Sequence, residues 1–342
     1  MLRLELLEGR HVRCGQIMAG RSGREGRGDR VKALVEEKLA QGLEYEALQL
    51  YRGQASRKVA RRDCDGGVAL AEQGVQVLAD RGYVDAATEL AMLLVSVYDE
   101  NAMPLTDGRK ALVLRVNQVY ERAKTEREGG NSGAAEAGPA GGSSTDGGGR
   151  KAGGTAEPTT VVKLQVRFLK AAVSWARDRG PRVHGDPELS ALLGQCLWAT
   201  DQIENAVKYL VIGEQPKELC DLLLSKFPCR SDRQQRETLL ARAVLAFISM
   251  ENMRDANILL TAYEKGSPKG TSALMLFCGQ LLKVCEYDAP PVFSRLGQVY
   301  EGVLSVDAKL VPLFNSIGLK YFRIQPPKTM LDNIMSMLGG GA

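Results

Sequence analysis

Histidine is nearly absent from this chain. Of 342 residues only His11 and His184 carry an imidazole, too few for acid–base chemistry built on histidine. No C-x-x-C occurs, and the seven cysteines (Cys14, Cys64, Cys196, Cys220, Cys229, Cys278, Cys285) are scattered. An odd, dispersed set argues against a disulfide framework and a zinc site, and suits a reducing compartment where thiols serve as small core residues. Phosphate-binding loops, nucleophile elbows and H-E-x-x-H helices are all missing. Catalytic, cofactor-binding and metal-binding residues are therefore expected to be none, and the chain is read as not an enzyme. No uncharged run approaches the roughly 20 residues that cross a bilayer, and the start of the chain has no apolar core of a secretory signal.

A strong charge of one sign is lacking too. The formal net charge is +4, and most of it sits in residues 1–30. There seven arginines, Arg3 to Arg30, face only Glu5, Glu8, Glu25 and Asp29. The other residues carry about +1, whereas a nucleic-acid binder needs a basic fold. Residues 1–30 are expected to form a disordered basic arm. A second aperiodic stretch, 129–157, holds eleven glycines and no Val, Ile, Leu or aromatic. It cannot bury enough apolar surface to offset the entropy of ordering. A disordered Gly-rich insert is therefore expected over 127–159, separating N-terminal helical repeats at 31–126 from C-terminal ones at 160–327. A flexible amphipathic tail, 328–342, follows.

What is present is helical periodicity. Val31, Leu34, Val35 and Leu39 recur at three and four residues, as do Leu90, Ala91, Leu94, Val97 and Tyr98, and again Leu239, Leu240, Val244, Phe247 and Ile248. Each set forms one apolar stripe on a helix, and sustained strand-like alternation is hard to find. Prolines such as Pro104, Pro181, Pro187 and Pro216 sit between the periodic segments.

Four stretches look alike: 42–48, 82–88, 201–207 and 251–257. Each opens on a turn-like or polar residue, continues through an acidic or amide residue, and has alanine in sixth place, at Ala47, Ala87, Ala206 and Ala256. This resembles the turn and second-helix start of tetratricopeptide-type repeats, where a small alanine lets one helix press on another. The intervals between those alanines are 40, 119 and 50 residues, so the period is loose. The expected fold is all-α: a degenerate right-handed α-solenoid of stacked antiparallel helix pairs, tetratricopeptide-like. Such arrays expose surfaces suited to protein binding.

Two regions stand out as candidate docking faces. Arg52, Arg57, Lys58, Arg61 and Arg62 bring five cations and no acid into eleven residues. The last four fall at helical spacing as a basic ridge suited to an acidic partner, or as a solvated face. Near the other end, Leu313, Phe314, Tyr321, Phe322 and Ile324 load a helix with bulky apolar groups before Pro326 and Pro327. Those groups either pack inward or face another chain. Met330–Leu338 is amphipathic and rich in methionine.

The motifs Glu44–Tyr51, Phe168–Trp175, Gly185–Leu189, Met253–Asn257 and Tyr321–Pro327 together resemble the Golgi to ER traffic protein 4 family over most of residues 31–338. That resemblance implies a non-catalytic cytosolic scaffold in post-translational targeting of tail-anchored membrane proteins to the endoplasmic reticulum. It implies that the N-terminal half binds the targeting ATPase. The C-terminal half is implied to bind a ubiquitin-like-domain protein or a BAG-family chaperone. Carried over by position, the ATPase face comprises Arg52, Arg57, Lys58, Arg61 and Arg62, with Asp85 at the next turn on the same side. The second face comprises Tyr300, Leu313, Phe314, Tyr321, Phe322 and Ile324. No nucleic acid and no direct membrane insertion are implied. The Gly-rich insert and the long arginine-rich arm depart from the family pattern. The alternative is a generic tetratricopeptide-like adaptor that reads peptides in its concave groove.

Overall fold

The computed structural model describes residues 33–130, 158–229, 231–266 and 272–325, with side chains omitted at 127–130 and 158–159. The expected arm, nearly all of the expected insert, the tail, His11, Cys14 and Pro326–Pro327 lie outside the described residues. Among the described residues all regular structure is helical and there are no strands.

Two compact units are present, Met1–Leu90 and Ala91–Ala342. The first contains α1 (33–40), α2 (Glu44–Ala60), α3 (Cys64–Asp80) and the start of α4 (Val84–Glu100). The second contains the rest of α4, then α5 (Asp107–Gly130), α6 (Pro158–Arg179), α7 (Pro187–Ala199), α8 (Ile203–Ile212), α9 (Pro216–Lys226), α10 (Arg233–Ser249) and α11 (Met253–Gly266). It ends with α12 (Ala273–Glu286), α13 (Pro290–Val299), α14 (Glu301–Leu304) and α15 (Leu310–Phe322).

The helix-to-helix turns share one device, and it coincides with the four look-alike stretches. Gly42, Gly82, Asp201 and Glu251, which open them, all have left-handed backbone, with φ of 72°, 77°, 61° and 64°. At Gly42 the amide bonds to Leu39 O, and that of Leu43 bonds back to Lys38 O. The same pair of bonds recurs at Gly82, Asp201 and Glu251. This cap satisfies the carbonyls left open at a helix end and reverses the chain. Three residues into each new helix come Ala47, Ala87, Ala206 and Ala256, each at most 1% exposed. A methyl group there lets the new helix lie directly on its predecessor.

Prolines start helices more than they separate them. Pro158, Pro187, Pro216 and Pro290 each stand first in theirs, where a missing N–H costs nothing. Asp186 and Ser272 cap α7 and α12 by accepting the amides of Leu189 and Met275 at 3.1 and 3.3 Å.

The packing does not divide at the insert. The compact units meet inside α4, between Leu90 and Ala91, and α5 packs directly on α6. Gln165 Nε2 donates to Asn117 Oδ1 and Glu121 Oε1, both at 2.8 Å. Trp175, 1% exposed, stacks on Tyr98 with centroids 4.9 Å apart and donates to Met103 O at 3.0 Å. The glycine-rich segment thus joins two partners of one helix pair, and α5 runs on to Gly130.

In the second unit α10 is the central helix, with ten buried residues including Leu240, Val244 and Phe247. From Leu239 to Ile248 every residue but Arg242 is apolar, and a stretch apolar nearly all round must be covered on several sides. The helices α8, α11, α12 and α15 supply that cover. The buried thiols of Cys196, Cys220, Cys278 and Cys285 fill space within these layers. Burial pushes Cys196 and Cys220 up to about 11, and Cys278 and Cys285 to about 12. They behave as small hydrophobes.

Candidate protein-binding surfaces

In the first unit, α2 carries Glu44 and Glu46 in its first turn and Arg57 and Lys58 in its last. Each sign sits where the helix macrodipole favours it. The basic residues form a cluster rather than the expected helical ridge. The helix ends at Ala60; Arg61 is its cap, and Arg62 turns the chain with φ of 63°. Arg62 N donates to Val59 O, and Asp63 N to Lys58 O. Arg57, Arg61 and Arg62 are exposed, while half-buried Lys58 pairs with Asp63 at 3.5 Å. Arg52, also exposed, lies five residues before Arg57 and so points about 140° away around the helix.

Asp85 requires a correction. It is exposed in the first turn of α4, but the 17 residues of α3 separate the turn at Arg62 from the turn at Gly82. At 1.5 Å per residue that is about 25 Å. Alternate turns of an antiparallel array lie at opposite ends, so Asp85 does not share a side with Arg61 and Arg62.

In the second unit, the six residues expected to face a partner mostly pack inward. Phe314, 8% exposed, stacks on Phe293 at 4.2 Å with the rings 7° from parallel. Phe322 and Phe293 have centroids 4.8 Å apart, and Tyr300 lies 5.3 Å from Phe277. Tyr300, Leu313, Tyr321, Phe322 and Ile324 are half-buried against the same core. Burial raises the Tyr321 phenol to about 12. A left-handed residue caps α15, which ends at Phe322. Arg323 is left-handed at φ 55°, and Ile324 N bonds back to Gly318 O.

The apolar groups that do reach the surface are others. Most of the exposed large hydrophobic side chains among the described residues fall between 276 and 319, including Tyr287 (80% exposed), Val292, Val299, Val306, Val311 and Leu319. One signal for them was readable: Val292 and Val299 are seven apart, on the flank of the Phe293–Leu296 stripe and not within it. The grooves of this unit are shallow. One of about 390 Å³ is lined by Gln234, Thr238 and Arg242, and another of about 520 Å³ by Lys217, Asn257 and Lys265. Arg242 is tied to Asp307, and to Glu204 at 3.1 Å. Hydrogen bonds from Lys309 and Arg242 hold the Glu204 carboxyl below the usual carboxylate range. Among the described residues no group of His, Cys, Asp and Glu could hold a metal ion, and no helix is long and apolar enough to cross a membrane.

Antiparallel helix pairs, left-handed turn caps, buried alanines after them, and charged and apolar patches on the helix surfaces define a helical-repeat protein. A family model for Golgi to ER traffic protein 4 matches residues 62–340, and this chain belongs to that family. It is 25% identical to Protein GET4 of Arabidopsis thaliana, covering 91% of this chain and 95% of the relative. The Golgi to ER traffic protein 4 homolog of Homo sapiens is 20% identical, with 95% and 91% covered. Among solved structures, the crystal structure of C. therm. Get4 shares the fold with a TM-score of 0.61 at 22% identity, over 92% of this chain and 96% of that one. The family places the chain in Golgi to ER traffic.

Proposed function

We propose that this chain is a non-catalytic cytosolic scaffold in the targeting of tail-anchored membrane proteins to the endoplasmic reticulum. The family match across residues 62–340 carries the reading. The first unit docks the targeting ATPase through Arg57, Lys58, Arg61 and Arg62 at the α2–α3 turn. Exposed charges of one sign speed and orient encounter with an acidic surface. Arg52 and Asp85 stand outside that cluster and contribute less. The second unit holds a cochaperone with a ubiquitin-like domain or of the BAG family. Its contact is the exposed apolar set Tyr287, Val292, Val299 and Val306, while the inward-packed Tyr300, Phe314 and Phe322 support the surface from beneath.

The test is retention of the purified ATPase by the chain carrying Arg57→Glu, Lys58→Glu, Arg61→Glu and Arg62→Glu together. Binding is expected to fall at least tenfold while the melting temperature stays within a few degrees, since the three arginines are exposed and Lys58 is only half-buried, in an exposed ion pair with Asp63. Undiminished retention would refute the docking face.

A further inference from the structure

Lysine and arginine collect along α6 with little acid to balance them. The helix holds Lys163, Arg167, Lys170, Arg177 and Arg179, and its one acid is Asp178. Lys163, Arg167, Lys170, Ser174 and Arg177 follow one another at four, three, four and three residues, so they fall within an arc of about 80° around the helix. All of them are exposed. On the opposite side Phe168, Leu169, Ala172 and Ala176 are at most 1% exposed. The cations thus form a straight row about 21 Å long on the outer side of α6.

Elsewhere in this unit, cations meet carboxylates from other elements. Lys110 pairs with Asp186 and Glu188 at 2.9 and 2.8 Å, and Lys226 with Asp201 at 2.7 Å. In the α6 row Arg177 pairs with its neighbour Asp178 at 3.0 Å. Lys163, Arg167 and Lys170 form no ion pair among the described residues. Like charges three and four residues apart repel one another and weaken a helix. A partner that brings carboxylates to the row removes that repulsion.

The row is also narrow. The helix α7, packed on α6, contains no Lys or Arg. A lipid surface or a nucleic acid presents anions over a broad field and gains most from a wide basic patch. A row one side chain wide matches instead the row of carboxylates on a helix whose acids repeat at three and four residues. Two helices side by side then pair charge for charge, as flanking positions do in coiled coils.

We propose that the outer side of α6 docks an acidic helical segment of a partner protein, its carboxylates set against Lys163, Arg167, Lys170 and Arg177. Ser174 offers a hydroxyl in the middle of the row. The surface is distinct from the α2–α3 turn and from the apolar set at Tyr287 to Val306, so it does not rest on the role proposed above. Exposed ion pairs are individually weak and screened by salt. The contact therefore steers and orients a partner more than it anchors one.

Fluorescence anisotropy on the full chain at low ionic strength, with two labelled probes, tests it. One is an alanine-based helical peptide whose glutamates line one side at alternating spacings of four and three residues. The other is an isomer of equal charge with its glutamates spread around the helix. The one-sided peptide is expected to bind at least tenfold more tightly than its isomer. Lys163→Glu, Arg167→Glu and Lys170→Glu together are expected to abolish that difference, whereas the four changes to Glu at the α2–α3 turn leave it intact. The three α6 side chains are exposed, so the melting temperature should hold; the corresponding glutamine variant takes the place of the reversal if it does not. Equal binding of the two peptides, or a preference that survives loss of the three cations, overturns the proposal. So does binding of phosphatidylcholine–phosphatidylserine vesicles, or of single-stranded RNA, that is tighter than that of the one-sided peptide and is lost on the same substitutions, because a lipid surface or a nucleic acid is then the occupant.

Discussion

Four alanines set how closely the helices lie. Ala47, Ala87, Ala206 and Ala256 are almost completely buried three residues after the start of their helices, and at α7–α8 the approach is tight enough that a methyl on Gly194 would stand 2.8 Å from Leu210. Ala206→Leu inserts three carbons where no volume is free. It is expected to cost about 1–3 kcal/mol, read as a lower denaturation midpoint with unchanged slope; an unaltered midpoint would show that α7 and α8 do not pack as described. These alanines were readable because turn residue and small residue recur together. Which way Tyr300, Phe314 and Tyr321 point was not, since an aromatic-rich helix offers no contrast between a side facing a neighbour and a side facing a partner. Three-dimensional neighbours, here Phe277 and Phe293, decide it.

Among elements, the insert is the informative case. Its composition marks it as aperiodic, yet composition cannot say whether such a stretch divides two units or interrupts one pair. The contacts Gln165–Asn117 and Tyr120–Phe168 bind α5 and α6 across it. Those residues lie far apart in sequence, and no local pattern announces them. Replacing 131–157 by a short Gly-Ser bridge is therefore expected to preserve the fold. Each halving of loop length returns about 0.6 kcal/mol of closure entropy, so the melting temperature should hold or rise by a few degrees. A fall of more than about 5 °C would mean that the segment itself contributes packing. The basic cluster teaches the same lesson at an element boundary. The spacing of Arg57, Lys58, Arg61 and Arg62 was legible, but the left-handed residue at Arg62, which takes Arg61 and Arg62 out of α2, was not. Arg62 is an arginine in a position that glycine usually marks.

For the whole molecule, helical class and family were legible because periodicity, turn residues and several short motifs agree. The placement of the unit boundary inside α4 was not, since a continuous helix carries no punctuation. Two compact units, one with an exposed basic turn and the other with exposed apolar residues between 276 and 319, suit a scaffold that holds two proteins at once. The most direct measurement is sedimentation of the chain with saturating targeting ATPase and saturating cochaperone together. The account predicts a single complex containing all three proteins, from which the four Arg and Lys to Glu changes remove the ATPase and leave the cochaperone bound. Mutually exclusive binding, or loss of both partners on those changes, would contradict it.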